Sequence, residues 1–485
     1  MKNFIFTGST LFFLVVFVKL PHLLWPTGVI LAWFSEKGLV MYKDFLNFYF
    51  PLSTYFIVPF MKLSNWNLRV EPFISLFIAL ASTGVIWQIA KKYFTVWGTF
   101  ISLSFFTLLF YFFTTAIQYT VEATIGLVVA FLIYQIFTYF TKQAALNKSS
   151  LFLNGLLISV GELFDQVATP LLGVIYLGFI YLIVKGKFTK KEKTSGVLLL
   201  TLGLLLPFIL TGLYFWHLQA LPDFLDNNIF YYLNYATLAN SQTHSAKLPW
   251  EEIFIFYTPL LISLPLVLKI KKEKETLYFL IFGAISTIPT IIFSVFHPHH
   301  FLYALPLLAI LGGLTIDYTF KLKNRSLKIF LIIVWLIFAQ QMIFQVLPWY
   351  WQKFQSSKGM VLVNDLTTQD SMYPPVVWVK DNTSQDATLL VTGDTLFYLK
   401  ADRLPANKYF TVLPWHYKPL DKTISTIQSN RPDYWVIAPS YLKRLSQSEE
   451  WNSPEITQLI QDELQRCYSK KIEFPDWQIW QKICL

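Results

Sequence analysis

Residues 195–216 read SGVLLLTLGLLLPFILTGLYFW, an uninterrupted run without one charged side chain, preceded by Lys185, Lys187, Lys190, Lys191 and Lys193. At 1.5 Å per residue this stretch forms a helix about 33 Å long, matching the roughly 30 Å hydrocarbon core of a bilayer. Lipid is therefore its solvent. Working outward, similar runs centre on residues 4–20, 71–90, 97–113, 123–141, 151–161, 168–184, 252–268, 276–295, 300–317 and 327–347. The expectation is an all-α polytopic membrane protein of about 11 transmembrane helices. The run 151–161 is short and is followed closely by Glu162 and Asp165, which predicts a half-span or broken helix, tolerated only where it is buried in protein or lines a cavity.

Composition agrees. Of 485 residues, 54% are hydrophobic and 14% charged, against about a quarter charged in soluble proteins. A net charge of +10 would ordinarily raise nucleic acid as a partner, but the basic residues cluster in short loops between apolar runs, not on one interleaved face. Counted over alternate loops, 17 Lys and Arg residues between Lys91 and Lys328 fall on one side. The other side has 5, namely Lys37, Lys43, Lys62, Arg69 and Lys247. The positive-inside rule makes the first side cytoplasmic. The N-terminus is then inside and the C-terminus outside, as in a bacterial plasma-membrane protein. Residues 4–20 lack a small-residue cleavage site after Leu20, so they read as a retained first helix.

The external loops are unequal. Residues 21–69 are rich in aromatics, and their stretch from Phe45 to Leu63 reads as helices lying at the interface, since a crossing there would invert every later loop. A second long loop runs from His217 to Trp250. From Trp349 onward charged residues return. ATLLVTGD (387–394), PDYWVIAP (432–439) and the closing WQIWQKI (477–483) read as strands, while DKTISTIQS (421–429) and SPEITQLIQDELQR (453–466) have helical spacing. The expected organisation is a membrane domain over 1–348, including loops 21–69 and 217–250, and an extracytoplasmic α/β domain over 349–485. Cys467 and Cys484 exclude a disulfide framework and any multi-Cys metal site; paired and free thiols are both compatible with their placement.

Carboxylates near a membrane are costly, which makes Glu36, Asp44, Glu122, Glu162, Asp165, Asp223 and Asp226 candidates for function. Glu36 beside Lys37 also reads as a solvated pair, and Asp223 and Asp226 as caps of a loop helix. Asp44 lies in GLVMYKDFLNFYFPLSTYF (38–56), where its plain alternative is an N-cap before FLNFYF.

Within that stretch Gly38, Tyr42, Lys43, Asp44, Phe45, Pro51 and Leu52 form a pattern that resembles the first external loop of the GT-C membrane glycosyltransferases. The similarity is to the branch of the dolichyl-phosphate-mannose protein mannosyltransferases and the bacterial aminoarabinose transferases. Phe50 stands where that family often has a first proline. HPHHFLYALPLLAILGG (297–313) resembles the turn that opens a late span, with His299 and Pro306 keeping the spacing and His300 where a Tyr is common. TGDTLFYLKADRLPANKYF (392–410) is similar to the family's external domain.

The resemblance implies a sugar donor carried on a polyprenyl phosphate, a protein, lipid or cell-envelope glycan acceptor on the outer face, and Asp44 as catalytic base. Inverting transfer needs one base, because a phosphate leaves without help from an acid. His297, His299 and His300 would meet the leaving phosphate or a divalent ion, or else are polar tips of an interfacial turn. Lys43, Tyr42 and Arg69 are further substrate-side residues, the cations with lipid headgroups as alternative partners. Glu122 would serve acceptor or metal binding, or simply favour the dipole of its helix. Glu162 and Asp165 would line a cavity or pair structurally. A divalent metal ion is the cofactor left open, with Asp44, Glu122 and His299 as candidate ligands, although the first loop has no DxD motif. The alternative function is a transporter or flippase of lipid-linked sugars; against it, no internal repeat is visible and the ionisable residues gather at one membrane face. A non-catalytic scaffold is a third reading, in which Asp44 would be dispensable.

Overall fold

The computed structural model describes residues 1–23, 26–47, 49–114, 117, 119–142, 147–186, 188–230, 250–267, 274–293, 298–356, 362–363, 369–411, 420–447 and 454–484. Each of the eleven apolar runs is a helix: α1 (Lys2–Lys19), α2 (Val70–Tyr93), α3 (Val96–Thr114), α4 (Val121–Lys142), α5 (Lys148–Glu162), α6 (Thr169–Lys185), α7 (Lys190–His217), α8 (Trp250–Val267), α9 (Lys274–Phe293), α10 (Leu305–Lys321) and α11 (Arg325–Gln341). Among the described residues, 8 helical segments are long and apolar enough to cross a membrane: α1 to α4, α6 with its preceding turn, α7, α8, and α11 with its continuation to Ser356. The chain is a multi-pass membrane protein. α5, with 15 residues, reaches only about 22 Å and ends at Glu162, as its sequence predicts.

Chain contacts divide the molecule into two compact units. The first comprises Met1–His22, Glu71–Thr211 and Leu248–Leu362. Its centre is α10, in which every residue from Leu305 to Thr319 is buried. α10 crosses α3 where Gly98 faces Gly313: a Cβ on either would sit 2.7 Å from the other's carbonyl oxygen, so only glycine allows the approach. Near that crossing Asp317 of α10 accepts the backbone N–H groups of Thr95 (2.7 Å) and Gly98 (3.1 Å), satisfying donors that the first turn of α3 leaves open. α1 packs against α3 through Phe13, whose ring lies 5.8 Å from Phe110 and 5.6 Å from Tyr111.

The second unit comprises Leu23–Val70, Gly212–Lys247 and Val363–Leu485. It holds a four-stranded mixed sheet of β1 (Leu389–Thr392), β2 (Tyr434–Ile437), β3 (Tyr468–Glu473) and β4 (Gln478–Lys482), in the order β1-β2-β4-β3. β1 and β2 are parallel, with Leu389 opposite Tyr434; β4 runs antiparallel to β2 and forms a hairpin with β3. Helices Leu420–Ser429 and Pro454–Cys467 fall where helical spacing predicts them. Strand β3 was not expected, because YSKKIE carries three charges; those suit an exposed edge strand, where charge discourages pairing with other chains. Cys467 and Cys484 form a disulfide. Buried Arg403, in the Arg-x-Pro stretch, donates to the carbonyls of Thr383 (3.0 Å), Ala401 (3.2 Å) and Asp402 (3.1 Å) and so ties its turn to a neighbouring helix end.

In this unit the first loop is an integral part of the packing. Phe34, on a helix Pro26–Glu36 that hydropathy alone does not announce, lies 5.3 Å from the rings of Tyr398 and Phe410, and Leu46 N–H donates to the Lys408 carbonyl at 3.0 Å. The expected helices over Phe45–Leu63 occupy only its second half, as Leu52–Tyr55 and Val58–Leu63. The first half is not helical because Asn47 turns back on the chain, its Oδ1 accepting Tyr49 N–H at 3.1 Å, and Pro51 then restarts it.

Candidate functional site

Asp44 does not cap a helix, since the next one begins eight residues later at Leu52. It closes a turn instead: its Oδ2 accepts the Val40 N–H at 2.7 Å while its own N–H donates to the Val40 carbonyl at 2.8 Å. The turn needs two left-handed residues, Gly38 (φ +87°) and Tyr42 (φ +70°). The second is strained for a bulky side chain, a cost of order 1–3 kcal/mol that the surroundings must hold in place. They do: Tyr42 is fully buried against Phe215 and Phe224, and its hydroxyl donates to the Tyr49 carbonyl at 2.8 Å. Tyr42 thus acts as the anchor of the turn. Lys43 stays exposed beside a half-buried Asp44, whose Oδ1 accepts no hydrogen bond among the described residues. Arg69 is exposed at the end of the same unit's first segment. Two of the other candidate carboxylates there are in ion pairs, Glu36 with Lys62 at 2.6 Å and Asp223 with Lys408 at 3.5 Å, while Asp226 opens the helical turn Asp226–Phe230. Lys37 pairs with Asp402 at 2.8 Å, not with its neighbour Glu36.

In the first unit, Glu122 at the start of α4 meets His299 and His300, which lie in a 3-10 turn (Pro298–Tyr303) leading into α10. The Nε2 atoms of both imidazoles stand 3.7 Å from Glu122 Oε1. The turn is fixed by Phe301, 4.6 Å from Phe113 and 4.3 Å from Phe256, and by Tyr303 bonded to Thr290. His297 lies outside the described residues. Asp165 sits in the turn after α5, capping the residues before α6 through Val167 N–H at 3.0 Å; burial raises its carboxyl above the ordinary range. Glu162 accepts the Thr169 hydroxyl at 2.5 Å. Asp165 and Glu122 act on each other electrostatically, so residues 43 positions apart in sequence share one acidic, largely buried region. One member of it escapes sequence reading. Glu71, in the first turn of α2, is 1% exposed and shares with Glu122 an electrostatic action on Tyr119, yet beside Arg69 it reads as an ordinary solvated charge.

No family model and no curated protein sequence matches this chain. Solved structures do. ArnT from Cupriavidus metallidurans bound to undecaprenyl phosphate aligns over 99% of this chain and 98% of its own, with TM-score 0.53 and 12% identity. The Archaeoglobus fulgidus oligosaccharyltransferase tethered to an acceptor peptide containing the NVT sequon aligns over 97% and 72%, with TM-score 0.57 and 9% identity. The fold is GT-C. At these identities the likeness is one of fold, and it runs from end to end of the chain, including the small C-terminal sheet. Another structure of the archaeal enzyme, similar at TM-score 0.53 and 9% identity over 91% of this chain and 68% of its own, is a complex with zinc and sulfate.

Proposed function

We propose that this GT-C chain is a membrane glycosyltransferase that takes a sugar from a polyprenyl-phosphate carrier and passes it to an acceptor at the outer face. The observation that carries this reading is the full-length likeness to a structure that binds undecaprenyl phosphate. A second support is the Asp44 turn, where strain is concentrated next to a carboxylate with one oxygen available. In the proposed step an acceptor hydroxyl attacks the anomeric carbon, Asp44 takes its proton, and the bond from that carbon to the phosphate oxygen breaks with inversion. The electron pair leaves on the polyprenyl phosphate. Val40 N–H would hold the carboxylate in position during proton transfer, and Lys43 and Arg69 supply exposed positive charge for the phosphate. The lysine-rich loops support an orientation with the Asp44 side outside and the N-terminus in the cytoplasm.

The test is sugar transfer from radiolabelled polyprenyl-phosphate sugars by purified protein, with Asp44→Asn beside it and carrier binding measured on both. Turnover that collapses in the variant while binding persists supports the reading. Carrier binding without turnover in either protein, across several sugars and acceptors, replaces it with transport of lipid-linked sugar.

A further inference from the structure

Five lysines lie between Lys185 and Lys193, where α7 begins, and they are not equally engaged. Lys185 pairs with Glu275, and Lys193 donates to the Val184 carbonyl. Glu192 is the one acid in the run. It is spent on starting the helix, accepting the Thr189 N–H at 2.8 Å and hydroxyl at 2.9 Å in a capping box. Among the described residues Lys190 and Lys191 have no ion pair. Both are exposed, and with Thr194, Ser195 and Leu198 they line a cavity of about 570 Å³.

These five residues share one face of α7, with 190, 194 and 198 one above another and 191 and 195 beside them. The same face continues as bare hydrocarbon, since Leu198, Leu202, Leu205 and Ile209 are all exposed. The other side of α7 is committed to α5. A Cβ on Gly203 would stand 2.2 Å from the Phe152 carbonyl oxygen, and one on Gly155 2.1 Å from that of Leu200, so glycines hold the two backbones together there. From Leu198 to Ile209 the helix rises about 16 Å, the hydrocarbon depth of one leaflet. Cations, then hydroxyls, then an apolar column one leaflet deep repeat the order of phosphate, glycerol ester and acyl chain in a phospholipid.

We propose that this face of α7 binds one anionic glycerophospholipid of the surrounding bilayer, with its phosphate at Lys190 and Lys191 and an acyl chain along Leu198 to Ile209. The Thr194 hydroxyl donates to the Lys190 carbonyl at 3.1 Å, whereas the Ser195 hydroxyl makes no hydrogen bond among the described residues and can donate to an ester oxygen. Two unpaired lysines favour a headgroup with net negative charge over one whose phosphate is balanced by its own ammonium. Each lysine beside such a headgroup is worth roughly fivefold in affinity, so two imply a preference of at least about tenfold. The site stands whether or not the chain transfers sugar.

The test is native mass spectrometry of the delipidated full-length protein in detergent, titrated with dioleoyl phosphatidylglycerol and, separately, dioleoyl phosphatidylcholine. Lys190→Gln with Lys191→Gln, Leu198→Trp, and a charge-matched control, Lys321→Gln with Lys323→Gln, are run beside the wild type. Expected is a first phosphatidylglycerol bound at least about tenfold more tightly than phosphatidylcholine by wild type and control. The preference falls to within about twofold in the Lys190 and Lys191 double variant, and binding of this lipid weakens at least about fivefold in Leu198→Trp, which keeps every charge but fills the groove. A control that loses as much as the Lys190 and Lys191 variant overturns the site in favour of bulk positive charge. Unchanged binding by Leu198→Trp overturns the acyl-chain groove, and millimolar inorganic phosphate that displaces the lipid replaces it with a soluble-anion site. Should the double variant fail to fold, Leu198→Trp decides alone.

Discussion

The turn at Asp44 and the cluster at Glu122 place carboxylates by opposite means. At Asp44 the hydrogen bonds that shape the turn come from residues within six positions of it, Val40 to the carboxylate and Tyr42 to Tyr49, and distant Phe215 and Phe224 serve only to pack the Tyr42 anchor. At Glu122 the partners are 177 and 178 residues away, delivered by helix packing and by a glycine that lets two elements touch. A locally wound turn fixes one group while leaving an oxygen for a ligand. Converging helix ends gather several ionisable groups, but only if the whole bundle is correct.

That contrast can be broken experimentally. The largest effect is expected for Asp44→Asn, which keeps an oxygen for Val40 N–H and removes the base: transfer falls about 10²–10⁴-fold with the melting temperature unchanged, read by radiolabelled turnover and thermal unfolding. Tyr42→Ala empties the buried anchor and destabilises the second unit by about 3–5 kcal/mol, read by thermal unfolding; Tyr42→Phe costs only the bond to Tyr49, about 1 kcal/mol. Replacing both Cys467 and Cys484 by Ser removes a crosslink between residues 17 apart and costs the same unit about 3 kcal/mol, seen as a lower denaturant midpoint. Gly126→Leu acts on the first unit instead: it pushes the histidine turn off α4 and costs that unit about 1–3 kcal/mol, read by thermal unfolding. The smallest effect belongs to the half-exposed Lys37–Asp402 pair, where Asp402→Asn costs under about 1 kcal/mol. Its hydrogen bond to Lys37 lowers the Asp402 carboxyl, so the contribution is present above the unfolded value near 3.9 and is lost as pH falls through the lower folded value. A stability difference between wild type and Asp402→Asn that survives at pH 2 would refute that origin.

The helices were legible because lipid imposes a length and an absence of charge that any 20-residue window reveals, and the end of α5 at Glu162 follows from the same rule. Strands β1, β2 and β4 showed as short runs rich in apolar and aromatic residues, whereas β3 hid behind its lysines. Asp44 stands out by motif resemblance, and its N-cap alternative fails because Asn47 and Pro51 keep the residues before Leu52 out of a helix. Glu71 was invisible, because a charge two residues after an arginine looks solvated until burial is measured.

The sequence by itself determined the solvent and where the apolar helices lie, since these depend on transfer free energies summed over contiguous residues. Only the tertiary structure decided which ionisable groups meet. Whether Glu122 faces two imidazoles depends on Gly126 admitting a carbonyl at close range and on Phe301 locking a turn, contacts between segments far apart in the chain for which no local pattern is a proxy.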